Sequence, residues 1–146
     1  MVSGNSNKYK IILVDDHPPM RRMVKALIEA NPELQVVGEL SDGLALMQFL
    51  EISSAQMVVL DISMPFMSGF EATRRVKEGY PEVKVLILSI HNYKEYVERA
   101  ISEGAEGYLL KEQAGEELLA AITSLRAGQS YISSHFLSRY STPPMA

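Results

Sequence analysis

Two adjacent carboxylates, Asp15 and Asp16, close an apolar run near the start of the chain, and a third, Asp61, closes another. Ser89 and Lys111 end two further runs of the same kind. Three carboxylates gathered in one place raise one another's pKa unless a cation neutralises them. A hard divalent ion answers that need: Mg²⁺ prefers oxygen ligands, takes one or two carboxylates, and completes its octahedron with water and phosphate oxygens. One carboxylate is then left free to act. Aspartate is a phosphoryl-accepting nucleophile, and a metal, a lysine and a hydroxyl can offset the charge on the equatorial oxygens during in-line transfer.

Taken singly, each residue has a plainer explanation. Asp15 or Asp16 could cap a following helix. Asp61 precedes Ser63-Met64-Pro65, where an aspartate opening a turn is common. Ser89 could cap the next helix, and a lone Lys111 is ordinarily a solvated surface charge. The conjunction decides the matter, because it requires these chemical types at the corresponding ends of consecutive strands.

The elements that would position them are legible as alternating segments. Branched aliphatic runs at residues 10–15 (KIILVD), 35–38 (QVVG), 57–61 (MVVLD) and 84–89 (KVLILS) predict strands, with a weaker fifth at 107–110 (GYLL). Uninterrupted apolar runs suit strands covered on both faces, as in a parallel sheet. Between and after them, helical spacing recurs at Met20, Met23, Val24, Leu27 and Ile28, at Leu44, Met47 and Leu50, and at Phe70, Thr73 and Val76. It recurs again at Tyr93, Val97, Ala100 and Ile101, and at Leu118, Ile122 and Leu125. Right-handed crossovers then predict an α/β doubly wound sheet of five parallel strands in the order 2-1-3-4-5, with five helices. Ligand sites in such sheets lie beyond the carboxyl ends of the strands, where the charged residues fall.

With 146 residues, the chain suits one domain. It holds no cysteine, which excludes disulfides, thiolate metal sites and cysteine nucleophiles. The net charge of −4 gives no electrostatic reason to bind nucleic acid. The polar opening and the short apolar run after it match neither a secretory signal nor a membrane span, so a cytoplasmic location and no membrane partner are expected. Residues 1–8 are expected to form a tail, residues 9–127 the domain, and residues 128–146, rich in serine and closing on Pro143-Pro144, a linker or tail. That last stretch is too short for a helix-turn-helix unit, so no output domain is expected within this chain.

The motifs IILVDDHPPMR, VVLDISMPFMSGFEATR, VLILSIH and EGAEGYLLK together resemble the receiver domain of bacterial two-component response regulators, a family with the flavodoxin-like (CheY-like) fold. The resemblance implies that Asp61 is the phospho-acceptor. Asp16 and Asp61 would bind Mg²⁺ directly, together with the Ser63 backbone carbonyl, and Asp15 would help through water; Mn²⁺ could substitute. It further implies that Ser89 is the switch hydroxyl, that Lys111 pairs with the phosphoryl group, and that Tyr108 is the aromatic that turns inward on activation. The plainer reading of Tyr108 is a strand residue packed on a helix. Pro65 and Gly69 would shape the loop after the acceptor.

The HPPMR, SIH and LRAGQSYIS segments are similar to the NarL/FixJ subfamily, whose members usually continue into a LuxR-type DNA-binding domain. That resemblance implies a sensor histidine kinase as phosphoryl donor, a homodimer through the first and fifth helices on phosphorylation, and transcriptional control through an output domain. Nucleic acid would not be bound by these residues themselves. The family catalyses only its own phosphorylation and dephosphorylation. Ile90, bulkier than the small residue many receivers place beside the switch hydroxyl, could narrow access. Ser63 and His91 fall at positions that influence phosphate lifetime, although His91 also reads as a partly exposed loop histidine. Three rivals remain. A magnesium phosphohydrolase would place an acid two residues after its nucleophile, where this chain has Ser63. A flavodoxin-type flavin carrier would not put DDHPPMR at its phosphate loop. A degenerate scaffold would not keep the full residue set.

Overall fold

A computed structural model describes residues 7–136, and within them strand and helix alternate as the apolar patterning requires. The strands are β1 (Tyr9–Val14), β2 (Leu34–Leu40), β3 (Met57–Leu60), β4 (Lys84–Ser89) and β5 (Gly107–Leu110). The helices are α1 (Pro18–Glu29), α2 (Gly43–Ile52), α3 (Gly69–Gly79), α4 (Lys94–Ser102) and α5 (Ala114–Arg126).

Side chains that alternate along each strand enter two separate cores. Ile12, Val14, Val58, Leu60, Val85 and Ile87 face α2, α3 and α4, whose Leu46, Phe70, Val76 and Val97 are buried against them. Ile11, Leu13, Met57, Val59, Leu86 and Leu88 face α1 and α5, meeting Val24, Ile28, Leu118 and Ile122. This double coverage explains the near-continuous apolar runs in the sequence.

The sheet is parallel, in the order β2-β1-β3-β4-β5-β6. The expected order of the first five strands stands, and the expected count of five is corrected to six. The additional strand, β6 (Tyr131–Ile132), lies in the stretch expected to be linker or tail and pairs with Gly107 and Tyr108 of β5. Two residues in a serine-rich segment carry no periodicity, so only tertiary pairing reveals them. Residues 1–6 and 137–146, which hold most of the expected N-terminal tail and the far part of the C-terminal one, lie outside the described residues. Among the described residues no helix is long and apolar enough to cross a membrane.

Local chemistry fixes the helix starts near the charged rim. Pro18 and Pro19 open α1 without a side-chain cap. Asp42 caps α2 by accepting from Ala45 N at 2.8 Å, and Ser68 caps α3 by accepting from Glu71 N at 3.2 Å. Gly69 is required for a different reason: a Cβ there would lie 2.3 Å from the Asp61 carbonyl oxygen and 2.6 Å from the Ile62 Cα. Its own N–H donates to the Ile62 carbonyl at 2.8 Å, pinning α3 against the end of β3. Gly69→Ala should therefore force backbone movement and cost about 1–3 kcal/mol or more. Chemical denaturation would register this as a lower midpoint, and an unchanged midpoint would show that the loop yields freely.

Candidate functional site

Register brings the acidic strand ends together. Val14 of β1 pairs with Leu60 of β3, so the next residues, Asp15 and Asp61, emerge side by side at the carboxyl edge. The Asp61 N–H donates to the Val14 carbonyl at 3.1 Å, carrying the ladder one step past both strands. Ser89 pairs with Leu110 across β4 and β5, and Lys111 follows directly. All five expected polar residues thus reach one rim.

The plainer explanations for these residues fail for Asp16, Ser89 and Lys111, and account for only one carboxylate oxygen each of Asp15 and Asp61. The N-cap of α1 is His17, not Asp15 or Asp16. Asp15 does close a local turn, since its Oδ1 accepts from His17 N at 2.8 Å, but its Oδ2 is given to Lys111 at 2.9 Å. Asp61 likewise accepts from Ser63 N at 3.3 Å while its Oδ2 meets the same ammonium at 3.1 Å. Ser89 caps no helix; its buried hydroxyl accepts from His91 N at 3.0 Å. Lys111 is not a solvated charge, for only 10% of its side chain is exposed.

The electrostatics follow from burial. Removal from water pushes the Asp61 carboxyl above the usual aspartate range, Lys111 pulls it back down in part, and Asp15 adds to the rise. Burial tends to lower the Lys111 pKa, but hydrogen bonding and attraction from Asp15 and Asp61 prevail, leaving it raised and the ammonium charged. One oxygen each from Asp15, Asp16 and Asp61 lies within 4.8 Å of the others, and Asp16 is exposed. Such a hard, oxygen-only donor set, open to solvent on one side, suits Mg²⁺ with several retained waters.

Tyr108 is fully buried and directed inward. Its hydroxyl donates to the His91 carbonyl at 2.7 Å, and burial pushes the phenol up to about 12, with its contact to the Ser89 hydroxyl acting the other way. His91 itself is half-buried and spans the rim: its Nε2 lies 3.1 Å from Ser63 Oγ and its ring lies against Tyr96. Ile90 is 69% exposed beside it. Two further residues stand inside the quoted motifs, although their types alone assign them no part. Arg21, on α1, donates to the Asp15 carbonyl at 2.6 Å and holds the acidic turn from behind. Phe66 follows Pro65 at φ 71°, the only non-glycine residue with positive φ among those described, where Met67 N donates to the Pro65 carbonyl at 2.8 Å. A tight turn of this kind is strained for a bulky residue, and the Phe66 side chain is left exposed.

Because the folded pKa of Asp61 is raised, its favourable contribution is present at low pH and is lost as pH climbs through that raised value. Above it the ionised carboxylate works against the fold. In chelator-treated buffer, Asp61→Asn should raise the thermal midpoint at pH 7 by about 2–4 °C. The gain should close as the pH enters the carboxylate range, and a lowered midpoint at pH 7 would mean that pairing with Lys111 outweighs burial.

Comparison with known proteins agrees with this geometry. The family model for the response regulator receiver domain matches residues 11–123. The chain is 40% identical over 128 residues to the transcriptional regulatory protein DegU of Brevibacillus brevis, covering 88% of this chain and 54% of that one. It is 36% identical over 130 residues to the nitrate/nitrite response regulator NarL of Escherichia coli K12, covering 89% and 60%. The chain thus spans little more than half the length of these relatives. A LuxR-family two-component response regulator from Aurantimonas sp. SI85-9A1 superposes with a TM-score of 0.87 at 30% identity, covering 92% of this chain and 96% of that one. The non-phosphorylated receiver domain of the Escherichia coli stress response regulator RcsB superposes with a TM-score of 0.81 at 26% identity, covering 86% and 98%. With its three acidic strand ends, its buried lysine and these likenesses, the chain belongs to the response regulator receiver domain family and is the receiver of a NarL/LuxR-type two-component response regulator.

Proposed function

We propose that Asp61 is the phospho-acceptor, taking its phosphoryl group from a phosphohistidine of a sensor histidine kinase. The observation that carries this reading is the shared ammonium: Lys111 reaches both Asp61 and Asp15 from the end of β5. A buried cation beside a carboxylate that burial has made more basic is suited to charge that grows during phosphoryl transfer.

In the step itself an Asp61 carboxylate oxygen forms a bond to phosphorus while the bond from phosphorus to the donor imidazole nitrogen breaks. The imidazole leaves with its electron pair, and the product is an acyl phosphate. Lys111 turns from the carboxylates toward the phosphoryl oxygens, and the Ser89 hydroxyl moves toward the same group. Asp16 and Asp61, with the Ser63 backbone carbonyl and with Asp15 through water, would hold Mg²⁺, or Mn²⁺ in its place. That ion would neutralise charge on the transferred group. Hydrolysis of the acyl phosphate is the only other reaction assigned to the chain, and Ser63, hydrogen-bonded to His91, is proposed to influence how long the phosphoryl group survives.

Tyr108, donating to the His91 carbonyl, is the proposed switch that reports the state of Asp61 to the outer surface. The rest of the assignment rests on the relatives. NarL and DegU are named as a response regulator and a transcriptional regulatory protein, and a solved RcsB complex is described as bound to DNA. Transcriptional control through a further DNA-binding domain, a phosphorylation-dependent homodimer and a cytoplasmic location are proposed for this protein on that basis. Residues 9–127 are proposed as the receiver proper and 128–146 as the connection outward.

Incubation with acetyl phosphate and Mg²⁺ should give one acid-stable, base-labile adduct per chain, mapped to Asp61 by mass spectrometry. Chelation or Asp61→Asn should reduce it to background. Continuous release of phosphate from small esters, with no adduct accumulating, would favour a phosphohydrolase instead.

A further inference from the structure

Beyond α5 the chain runs back along the β5 edge and is fastened there at several points. Tyr131 N donates to the Glu106 carbonyl at 3.1 Å and Ser133 N to the Tyr108 carbonyl at 2.9 Å. The buried Ser133 hydroxyl accepts from Leu110 N at 3.4 Å and bonds the Gln113 side chain. Glu117 of α5 acts as a clamp, accepting from Tyr131 OH at 2.7 Å, from Ser134 N at 3.0 Å and from the Ser134 hydroxyl. The segment ends in Phe136, fully buried, its ring edge-on to Tyr108 with centroids 5.8 Å apart.

Tyr108 is also the residue that reaches toward the acidic rim. Its hydroxyl depends on the His91 carbonyl, while the His91 N–H holds Ser89 and the His91 ring meets Ser63. Phe136, Tyr108, His91 and Ser89 therefore form one unbroken chain of contacts ending beside Asp61. If the loop at residues 89–91 shifts, the Tyr108 hydroxyl loses its acceptor, and a buried hydroxyl without a partner is disfavoured. The ring must then move, and Phe136 loses the surface on which it packs.

We infer that residues 129–136 are a strap whose hold on the β5 edge is coupled, through Phe136, Tyr108 and His91, to the chemical state of Asp61. The inference rests on the phospho-acceptor reading above. A phosphoryl group that draws in the Ser89 hydroxyl holds the 89–91 loop in one position through the His91 N–H, so the His91 carbonyl stays on the Tyr108 hydroxyl, Tyr108 stays beneath Phe136, and the strap tightens. Coupling between two sites is reciprocal, so the seated strap must favour the modified pocket by the same factor.

Beryllofluoride with Mg²⁺, a phosphoryl mimic that adds to carboxylates, supplies the test on the 146-residue chain. Amide exchange at Tyr131 and Ser133 should slow by about fivefold more than at β2, on the opposite sheet edge. Phe136→Ala should weaken beryllofluoride binding by about the same factor, and Phe136→Leu by less. Uptake with equal change at both edges, or with faster strap exchange, overturns the inference. So does a folded Phe136→Ala chain that is less stable yet binds beryllofluoride as tightly, the result expected of a strap that is only structural. Should Phe136→Ala not fold, the exchange comparison in the unaltered chain decides alone. Failure to take up beryllofluoride at all overturns the phospho-acceptor reading together with the strap.

Discussion

A parallel sheet in this register cannot keep Asp15 and Asp61 apart, so the ammonium of Lys111 between them is what the rest of the rim is built around. Two buried carboxylates on neighbouring strands would otherwise repel with no opposite charge between them. Lys111 arrives from β5, which is separated from β3 by β4, so the compensation depends on strands far apart in sequence being correctly ordered. It is also incomplete, since Asp61 remains above its usual range even with the lysine in place. A buried ion pair of this kind is weak evidence of stability, and here its worth is better measured in chemistry than in folding.

The surrounding elements behave as supports for that arrangement. Arg21 secures the carbonyl of Asp15 from α1, and the bare Cα of Gly69 lets α3 start directly over the backbone of Asp61. The loop between β3 and α3 accepts an unfavourable backbone at Phe66 to turn within so short a distance. The two loops that flank Asp61 are joined by the hydrogen bond between Ser63 and His91.

How much of this was legible in the sequence depends on how local each signal is. Strand ends were readable because a polar residue stopping an apolar run is conspicuous, and the four stops, at Asp15-Asp16, Asp61, Ser89 and Lys111, supplied complementary chemical types. Helical spacing located all five helices for the same reason. Arg21 stands in the HPPMR segment, but its contact with the Asp15 carbonyl could not be read there, since one arginine in the first turns of an amphipathic helix resembles any solvated residue. Phe66 could not be read, because its backbone angle is set by tertiary closure and not by residue preference. The sixth strand was missed because Tyr131 and Ile132 are too few to show a period, and because Phe136 is a lone aromatic amid serines. What holds these residues is distant in sequence: Glu106, Tyr108 and Glu117.

That short sixth strand also changes what β5 presents to its surroundings. An unprotected strand edge is a row of open donors and acceptors able to recruit a neighbouring molecule by backbone pairing. With Tyr131 and Ile132 laid alongside, the outermost strand on this flank among the described residues is two residues long and is followed at once by buried Ser133. A stretch so brief offers too little ladder for an invading chain to grip, so molecules of this protein meeting at that flank must engage through side chains, which are selective, and not through main chain, which is not.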